Sequence, residues 1–282
     1  MRAESLFGKP AADRTAARAK SMAENNHAKP HLRIFRLGDD EASGIYVEAK
    51  RKACEDVGFG CDVVHVREKV KEHELLPLIY ASNADAATTG IMMQLPLPPD
   101  WGLNLNRVVN AIDPRKDVDC LTATNLGRVA QGCYNILPCT VQAVLTMIDE
   151  YEIGIAGEDV AIIGRSRLVG LPLACVMMSP GLFGDATVHV VHEHTRDLPG
   201  VLKQCSVVIS AVGKPGFSVT GDMVRKGSYL IDVGIRRDGD KVVGDFDESV
   251  WDVAESVIPV PGGVGPCTVS CVLRNLVTLS VK

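Results

Sequence analysis

Two acidic residues and a lysine stand together in the segment DPRKDVDCL, and their types suit ligand binding or catalysis. Asp117 and Asp119 are separated by one residue, and Lys116 directly precedes them. On a strand or an extended turn, residues i and i+2 share a face, so the two carboxylates would be brought together. Because like charges disfavour each other, we expect one of the two acids to bind a partner.

Tyr46 and Lys50 in the segment SGIYVEAK form a second candidate pair. They are four residues apart on a predicted helix, which makes them neighbours on one helical face. A lysine beside a phenol, facing a cleft, could serve acid–base chemistry. The alternative is a solvated surface lysine beside a half-buried tyrosine, and the pair taken alone favours that alternative.

Gln94 is a lone amide at the end of an apolar segment, GIMMQLPLP, that predicts a strand ended by prolines. Open α/β sheets bind ligands at the carboxyl ends of their strands, which makes Gln94 a candidate ligand contact. A glutamine that only hydrogen-bonds the following loop explains the segment equally well.

The segment AIIGRSRLVGLP follows a predicted strand and begins a predicted helix. Gly164 would permit a tight turn, Ser166 and nearby amides could bind phosphate, and Gly170 would allow close helix–sheet packing. The spacing is not the usual G-x-G-x-x-G, so a plain strand–turn–helix connection is an equal alternative.

The segment IPVPGGVGPCT, rich in proline and glycine, indicates either a backbone that approaches a ligand closely or a rigid hinge.

Alternating strands and helices must position these residues. Between about residues 140 and 260, four short β-branched runs are bounded by glycines: EDVAIIG, ATVHVVH, CSVVISAVG and GSYLIDVGI. Near-continuous apolar strands of this kind indicate a parallel sheet covered on both faces, as in a Rossmann-type nucleotide domain. The preceding part also alternates, with a helix over SGIYVEAKRKACEDVG that Gly58 should end. We therefore predict a two-domain α/β fold with the ligand cleft between the domains.

Composition limits the possible classes of protein. The chain has 282 residues, 46% apolar and 23% charged, as in soluble globular proteins, and its net charge of −5 disfavours a nucleic-acid binder. Nine scattered cysteines without a C-x-x-C pair predict reduced thiols in a reducing compartment. No signal segment and no membrane-spanning run is recognisable, and the histidines lack metal-ligand spacing. We expect a cytoplasmic protein with no metal and no membrane or nucleic-acid partner.

Eight segments occur in the order typical of one family, and their combination is far more specific than any one of them. They are LGDDEASGIYVEAKRKACEDVG, GIMMQLPLP, DPRKDVDCLTATNLG, LPCT, GRSRLVGLP, AVGKPG, IDVGI and PVPGGVGPCT. Over essentially its whole length the sequence resembles the bifunctional methylenetetrahydrofolate dehydrogenase/methenyltetrahydrofolate cyclohydrolase (FolD-type) family. The resemblance implies a catalytic folate-binding domain over 1–138, completed by a C-terminal helix over 265–282, and a Rossmann-type NAD(P)-binding domain over 139–264.

The resemblance implies a multifunctional enzyme, both oxidoreductase and hydrolase. It would oxidise 5,10-methylenetetrahydrofolate with NADP and hydrolyse the 5,10-methenyl product to 10-formyltetrahydrofolate. It further implies one-carbon metabolism for purine biosynthesis, and a homodimer formed through the nucleotide domain. The alternative within the family is a monofunctional NAD-dependent dehydrogenase. An oxidoreductase of the shikimate or amino-acid dehydrogenase kind would leave KDVD and PVPGGVGP unexplained, and the presence of Lys50 disfavours an inactive folate-binding protein.

The resemblance also assigns roles within the folate-binding site. Lys50 would be the central catalytic residue, positioned by Tyr46 and Gln94, and would deliver the water that attacks the methenyl carbon. Asp119 would bind N–H groups of the pterin-like ring, while Asp117 braces the loop. The implied catalytic residues are Lys50, Tyr46, Gln94 and Asp119, and the implied substrate-binding residues are Tyr46, Lys50, Met93, Gln94, Leu95, Asp119, Pro261, Gly262 and Gly263.

The cofactor site is assigned in the same way. Ile235 would lie against the nicotinamide, and the implied cofactor-binding residues are Gly164, Arg165, Ser166, Glu193 and Ile235. Glu193 stands where the family often has a serine or arginine that contacts the 2′-phosphate. A carboxylate there would repel that phosphate and suits a free 2′-hydroxyl, so NAD is possible although NADP is the cofactor expected for the family.

Three further positions, in two segments, depart from the family pattern. Val141 and Ala143 replace the proline and glycine of PCTPxG, for which we expect a modest packing effect. Cys120 follows KDVD where a glycine is usual, so we expect an altered loop backbone beside Asp119.

Overall fold

The computed structural model describes residues 2–239 and 241–281 and divides them into two compact units. The first unit joins the N-terminal segment up to Ala12 to Thr140–Thr268, and the second joins Asp13–Cys139 to the chain from Val269 onward. Residues 1, 240 and 282, which fall within the domain bounds expected from the sequence, lie outside the described residues.

The strands and helices alternate along most of the chain. The strands are β1 (Glu4–Ser5), β2 (His31–Leu37), β3 (Gly60–Val66), β4 (Gly90–Met93), β5 (Asp159–Ile163), β6 (Thr187–Val191), β7 (Val207–Ser210), β8 (Tyr229–Asp232), β9 (Arg236–Asp238), β10 (Lys241–Val243) and β11 (Ser256–Ile258). The α-helices are α1 (Lys9–Asn25), α2 (Glu41–Val57), α3 (Glu72–Ala84), α4 (Leu105–Asn110), α5 (Ala123–Ala130), α6 (Cys139–Glu150), α7 (Gly170–Met178), α8 (Leu198–Leu202) and α9 (Val264–Ser280). Short 3₁₀ helices cover Pro99–Trp101, Gly221–Met223 and Glu248–Asp252.

The first unit is built on a six-stranded parallel sheet in the order β1-β11-β8-β7-β5-β6. The four β-branched runs of the sequence form β5 to β8, which confirms the predicted parallel sheet. The central strand β7 is buried along its whole length, as expected for a strand covered on both faces. A small antiparallel pair, β9 and β10, follows β8.

The second unit contains a three-stranded parallel sheet in the order β3-β2-β4. Helix α2 begins after Asp40, whose side chain accepts a hydrogen bond from the Ser43 backbone N–H. It ends at Gly58, which adopts a left-handed φ of 81°, so the C-cap predicted from the sequence is confirmed. The helix therefore has fixed ends, and these fix the positions of its side chains.

None of the helices that the structure describes combines the length and the apolar character that crossing a bilayer requires.

Candidate active site

Lys50 and Gln94 are brought together by α2 and the end of β4. The Lys50 Nζ donates to the Gln94 Oε1 at 2.9 Å. The Gln94 Nε2 donates to the carbonyl oxygen of Leu95 at 2.7 Å, which leaves Oε1 as the atom that faces the amine. Because Gln94 is buried and its backbone N–H continues the strand pairing to Phe35, its amide is a fixed acceptor for Lys50.

Tyr46 lies one helical turn before Lys50 on α2, as the spacing predicts. Its side chain is 39% exposed, whereas Lys50 is half-buried. The phenol is thus accessible to a ligand, and Met93 and Leu95 flank Gln94 in the chain.

Asp117 is buried and holds the loop that follows it. Its Oδ1 accepts from the Leu121 N–H at 3.1 Å, and its Oδ2 accepts from the Thr122 N–H at 2.8 Å and from the Asn125 Nδ2 at 3.0 Å. All the donors belong to the start of α5 or the turn before it, where a carboxylate is a favourable cap. The predicted bracing role of Asp117 is therefore confirmed.

Asp119 lies in a different environment from Asp117 and keeps part of its surface accessible. Burial raises the pKa of Asp119, which the nearby positive charge of Lys50 and a hydrogen bond from the Cys139 thiol partly oppose. The charge of Asp117 contributes least to this shift. The positive charge of Lys50 thus acts on the Asp119 carboxylate.

The backbone beside Asp119 turns sharply. The Cys120 N–H donates to the carbonyl oxygen of Asp117 at 3.2 Å, and Cys120 adopts a left-handed φ of 56°. That conformation favours glycine, which accounts for the usual glycine at this position, and a side chain there costs roughly 1–2 kcal/mol. The loop keeps its turn with Cys120 in place.

Asn275 supports this loop, and the sequence analysis did not identify it. It is a buried polar residue in the apolar helix α9. Its Nδ2 donates to the carbonyl oxygens of Val118 at 2.9 Å and Leu137 at 2.8 Å. The signal in the sequence was a lone amide among apolar residues, which alone does not say where its hydrogen bonds go.

The segment PVPGGVGP belongs to the first unit and precedes most of α9. Gly262 has a φ of 98°, and its carbonyl oxygen accepts from the Gly8 N–H at 2.8 Å. A Cβ on Gly263 would lie 2.5 Å from the carbonyl oxygen of Pro259, so only glycine fits. Pro261, Gly262 and Gly263 therefore form a fixed irregular backbone.

The turn after β5 has the form that its glycines predict. Gly164 has a φ of 119°, and a Cβ there would lie 2.9 Å from the carbonyl oxygen of Ala211. Gly170 begins α7, and a Cβ there would lie 2.0 Å from the carbonyl oxygen of Gly164. The Ser166 Oγ accepts from the Val169 N–H at 3.3 Å. This tight strand–turn–helix arrangement fits a dinucleotide phosphate at the helix N-terminus.

Arg165 and Glu193 form an ion pair across the turns after β5 and β6. The Arg165 Nη2 lies 3.1 Å from the Glu193 Oε1, and both side chains are more than half exposed. Hydrogen bonds from its own backbone N–H and from Arg165 lower the pKa of Glu193. Glu193 is therefore ionised near neutral pH, and it already forms an ion pair with the Arg165 guanidinium.

Comparisons with known proteins agree along the whole chain. The tetrahydrofolate dehydrogenase/cyclohydrolase catalytic domain matches residues 6–119, and the NAD(P)-binding domain of the same family matches residues 138–282. The Bifunctional protein FolD of Thermus thermophilus is 38% identical over 98% of this chain and 95% of its own length. That of Lactobacillus delbrueckii is 39% identical over 89% of this chain and 87% of its own.

Solved structures give the same result. The bifunctional 5,10-methylenetetrahydrofolate dehydrogenase/cyclohydrolase from Thermoplasma acidophilum has a TM-score of 0.91 and 34% identity, covering 98% of each chain. The Trypanosoma brucei methylenetetrahydrofolate dehydrogenase-cyclohydrolase complexed with NADP and an inhibitor has a TM-score of 0.90 and 31% identity, covering 99% of this chain and 97% of its own.

Proposed function

We propose the roles of individual residues in the two reactions of this chain, which belongs to the tetrahydrofolate dehydrogenase/cyclohydrolase family. The enzyme oxidises 5,10-methylenetetrahydrofolate with NADP and hydrolyses the methenyl product to 10-formyltetrahydrofolate. The monofunctional alternative is not favoured, because the curated relatives of this chain are named bifunctional. The observation that carries the residue assignment is the Lys50 amine held at 2.9 Å by the buried amide of Gln94.

Lys50 is the proton carrier of the hydrolysis. In its neutral form it takes a proton from the water whose oxygen bonds to the methenyl carbon. It then returns that proton to N5 as the bond from N5 to this carbon breaks, and the hydroxyl proton leaves to solvent as the formyl group forms on N10. Gln94 orients the Lys50 amine by accepting a hydrogen bond from it.

Asp119 binds the N–H groups of the pterin ring, and Tyr46 borders the same ligand. A carboxylate that accepts two N–H donors gives strong and oriented contacts. The turn at Cys120 fixes the backbone directly after Asp119 before the ligand arrives. Met93 and Leu95, and Pro261, Gly262 and Gly263 of the first unit, complete the proposed substrate contacts.

The turn after β5 fits NADP, since Gly164 and Gly170 allow the close backbone packing of a tight strand–turn–helix connection that leads to a helix N-terminus. When bound, NADP supplies the hydride acceptor for the oxidation. Gly164, Arg165 and Ser166 would hold its phosphates and ribose. Ile235, which is 42% exposed, would lie against the nicotinamide.

Replacing Glu193 with serine should lower the KM for NADP by about tenfold, since a like charge near the 2′-phosphate would be removed and Arg165 released. The KM for NAD should stay the same or rise. Steady-state kinetics with both cofactors measure this, and Glu158→Ser, the same change at another exposed site of the first unit, is the matched control. An unchanged or higher KM for NADP would mean that Glu193 points away from the 2′-phosphate.

We also propose a homodimer, supported by the free edge of the six-stranded sheet. Strand β6 is the last strand in the sheet order. Exposed apolar side chains lie on β6, on the adjacent α7 and on the loop between them: Leu171, Met178, Leu182 and Val190. Such an edge favours association with another chain.

Sedimentation velocity should give twice the chain mass of 30.2 kDa, and Leu182→Asp should shift the measured mass toward that of the monomer. A wild-type monomer would contradict the proposal.

Two finer statements about cellular context also belong to the proposal. None of the nine cysteines forms a disulfide in the part of the chain that the structure describes, which supports a cytoplasmic location. The 10-formyl product suits one-carbon transfer in purine biosynthesis.

The function is tested by supplying 5,10-methylenetetrahydrofolate with NADP or NAD in parallel and following cofactor reduction. Reduction of NADP at a higher kcat/KM than NAD is expected. Reduction of neither cofactor would contradict the dehydrogenase assignment.

A further inference from the structure

Two buried carboxylates lie at the carboxyl end of the first unit's sheet, outside the site residues discussed so far. Asp232 ends β8 and is 2% exposed, and Asp245 follows β10 and is fully buried. A buried carboxylate is costly unless hydrogen bonds compensate its lost hydration. The partners of these two acids therefore indicate what they are for.

Asp245 binds the loop that follows β7. Its Oδ2 accepts from the Ser210 Oγ at 2.7 Å and from the Val212 N–H at 2.9 Å. Its Oδ1 accepts from the Gly213 N–H at 3.0 Å, and the Arg236 Nη1 lies 3.7 Å from the same oxygen. One donor at the end of β7 and two in the loop after it thus converge on a single side chain.

Asp232 holds Asp245 in place from the other side. Its Oδ2 accepts from the backbone N–H groups of Asp245 at 2.8 Å and Phe246 at 3.2 Å. Its Oδ1 accepts from the Gly234 N–H at 3.1 Å, in the segment that leads to Ile235. Burial raises the pKa of Asp232 to about 7.

The backbone segments joined by these acids are in direct contact. A Cβ on Gly213, whose φ is 58°, would lie 2.9 Å from the carbonyl oxygen of Ile235. Gly234 and Gly244 make room for the carboxylates, since a Cβ on either would lie within 2.0 Å of an aspartate oxygen. The loop after β7 thus packs closely against the backbone of Ile235, and the hydrogen bonds of Asp245 to Val212 and Gly213 help to hold it there.

We propose that Asp245 is a positioning residue for hydride transfer, which fixes the loop 211–213 against Ile235 and so sets the nicotinamide side of the cofactor site. The inference rests on the proposed function, because the contact between Ile235 and the nicotinamide comes from the family resemblance. Hydride transfer depends steeply on the distance between the reacting atoms, so a small shift of this wall affects it. Hydrolysis of the methenyl group needs no nicotinamide and should not depend on Asp245.

The variant Asp245→Asn tests this with little change of shape. Its amide oxygen can still accept from Ser210 and Val212, but its NH2 group then faces the Gly213 N–H, and the two donors repel. The kcat of the dehydrogenase should fall by about 10–100-fold. Hydrolysis of supplied methenyltetrahydrofolate, assayed without NADP, should stay within about twofold of wild type. Asp238→Asn on the exposed strand β9 is the matched control and should change neither activity.

A second readout does not involve the cofactor. Amide hydrogen exchange at Val212 and Gly213, measured on the protein without NADP, should be faster in Asp245→Asn than in wild type. Should that variant fail to fold, Ser210→Ala removes one donor and keeps the carboxylate. It should reduce only the dehydrogenase, by roughly tenfold, the lower end of the effect expected when one hydrogen bond to a charged group is lost.

The outcomes separate this inference from the proposed function. A wild-type protein without either activity would overturn the proposed function. If wild type has both activities, an unchanged dehydrogenase in the folded variants, or an equal loss of dehydrogenase and cyclohydrolase, would overturn the role of Asp245 alone.

Discussion

Replacing Lys50 with methionine should lower the cyclohydrolase rate by about 10³-fold, within the range for loss of a general acid–base group. Methionine keeps the apolar stem but has no proton to accept or return. The dehydrogenase should fall by less than about tenfold, because the hydride chemistry is supplied by the cofactor. The measurement is hydrolysis of supplied methenyltetrahydrofolate beside reduction of NADP by methylenetetrahydrofolate.

The matched control is Lys52→Met, which removes an exposed lysine from the same helix. It should leave both rates unchanged. Equal losses in Lys50→Met and Lys52→Met, or a Lys50→Met variant that hydrolyses the methenyl substrate at the wild-type rate, would remove Lys50 from the mechanism.

Replacing Asp119 with alanine should raise the KM for the folate substrate of both reactions by about 10²-fold, since two charge-assisted hydrogen bonds are lost. The Kd for NADP should not change.

Because burial raises the pKa of Asp119, the carboxyl group protonates at a higher pH than an ordinary aspartate. Protonation weakens its acceptor role, so wild-type kcat/KM for the folate should fall with decreasing pH while Asp119 takes up its proton.

Asp117→Ala is the informative comparison, since this neighbour braces the loop. It leaves the buried N–H groups of Leu121 and Thr122 without their acceptor, which should lower the free energy of unfolding by about 2–4 kcal/mol. Asp119→Ala should leave thermal stability nearly unchanged. If Asp119→Ala lowered stability as much as Asp117→Ala and left the folate KM unchanged, Asp119 would be a structural residue.

Local patterns account for much of the fold. The β-branched runs predicted β5 to β8, and Gly58 predicted the end of α2, because burial on both faces and a left-handed cap restrict the residue types. Strand β1 could not be foreseen. It has only two exposed residues, and it pairs with β11, some 250 residues later in the chain. Nothing in two residues encodes so distant a partner.

The site was predictable only where spacing determines geometry. The i, i+4 spacing places Tyr46 and Lys50 on one helical face, but the contact between Lys50 and Gln94 depends on how α2 lies beside β4. The two-residue periodicity of an extended chain did not predict the arrangement of Asp117 and Asp119. A turn at Cys120 gives the two acids different partners.

The buried acids Asp232 and Asp245 were not identified from the sequence. Both stand beside glycines at the ends of apolar segments, in IDVGI and VVGDF. Such a pattern indicates a buried carboxylate only once the loops that donate to it are known, and these loops come from three separate parts of the chain.

The most direct test follows NADPH, methenyltetrahydrofolate and 10-formyltetrahydrofolate together in one reaction started from methylenetetrahydrofolate and NADP. With wild-type enzyme, 10-formyltetrahydrofolate should form in step with NADPH while the methenyl species stays low, and with Lys50→Met the methenyl species should accumulate instead. Accumulation of methenyltetrahydrofolate mole for mole with NADPH in the wild type would contradict a single chain that hydrates its own product through Lys50.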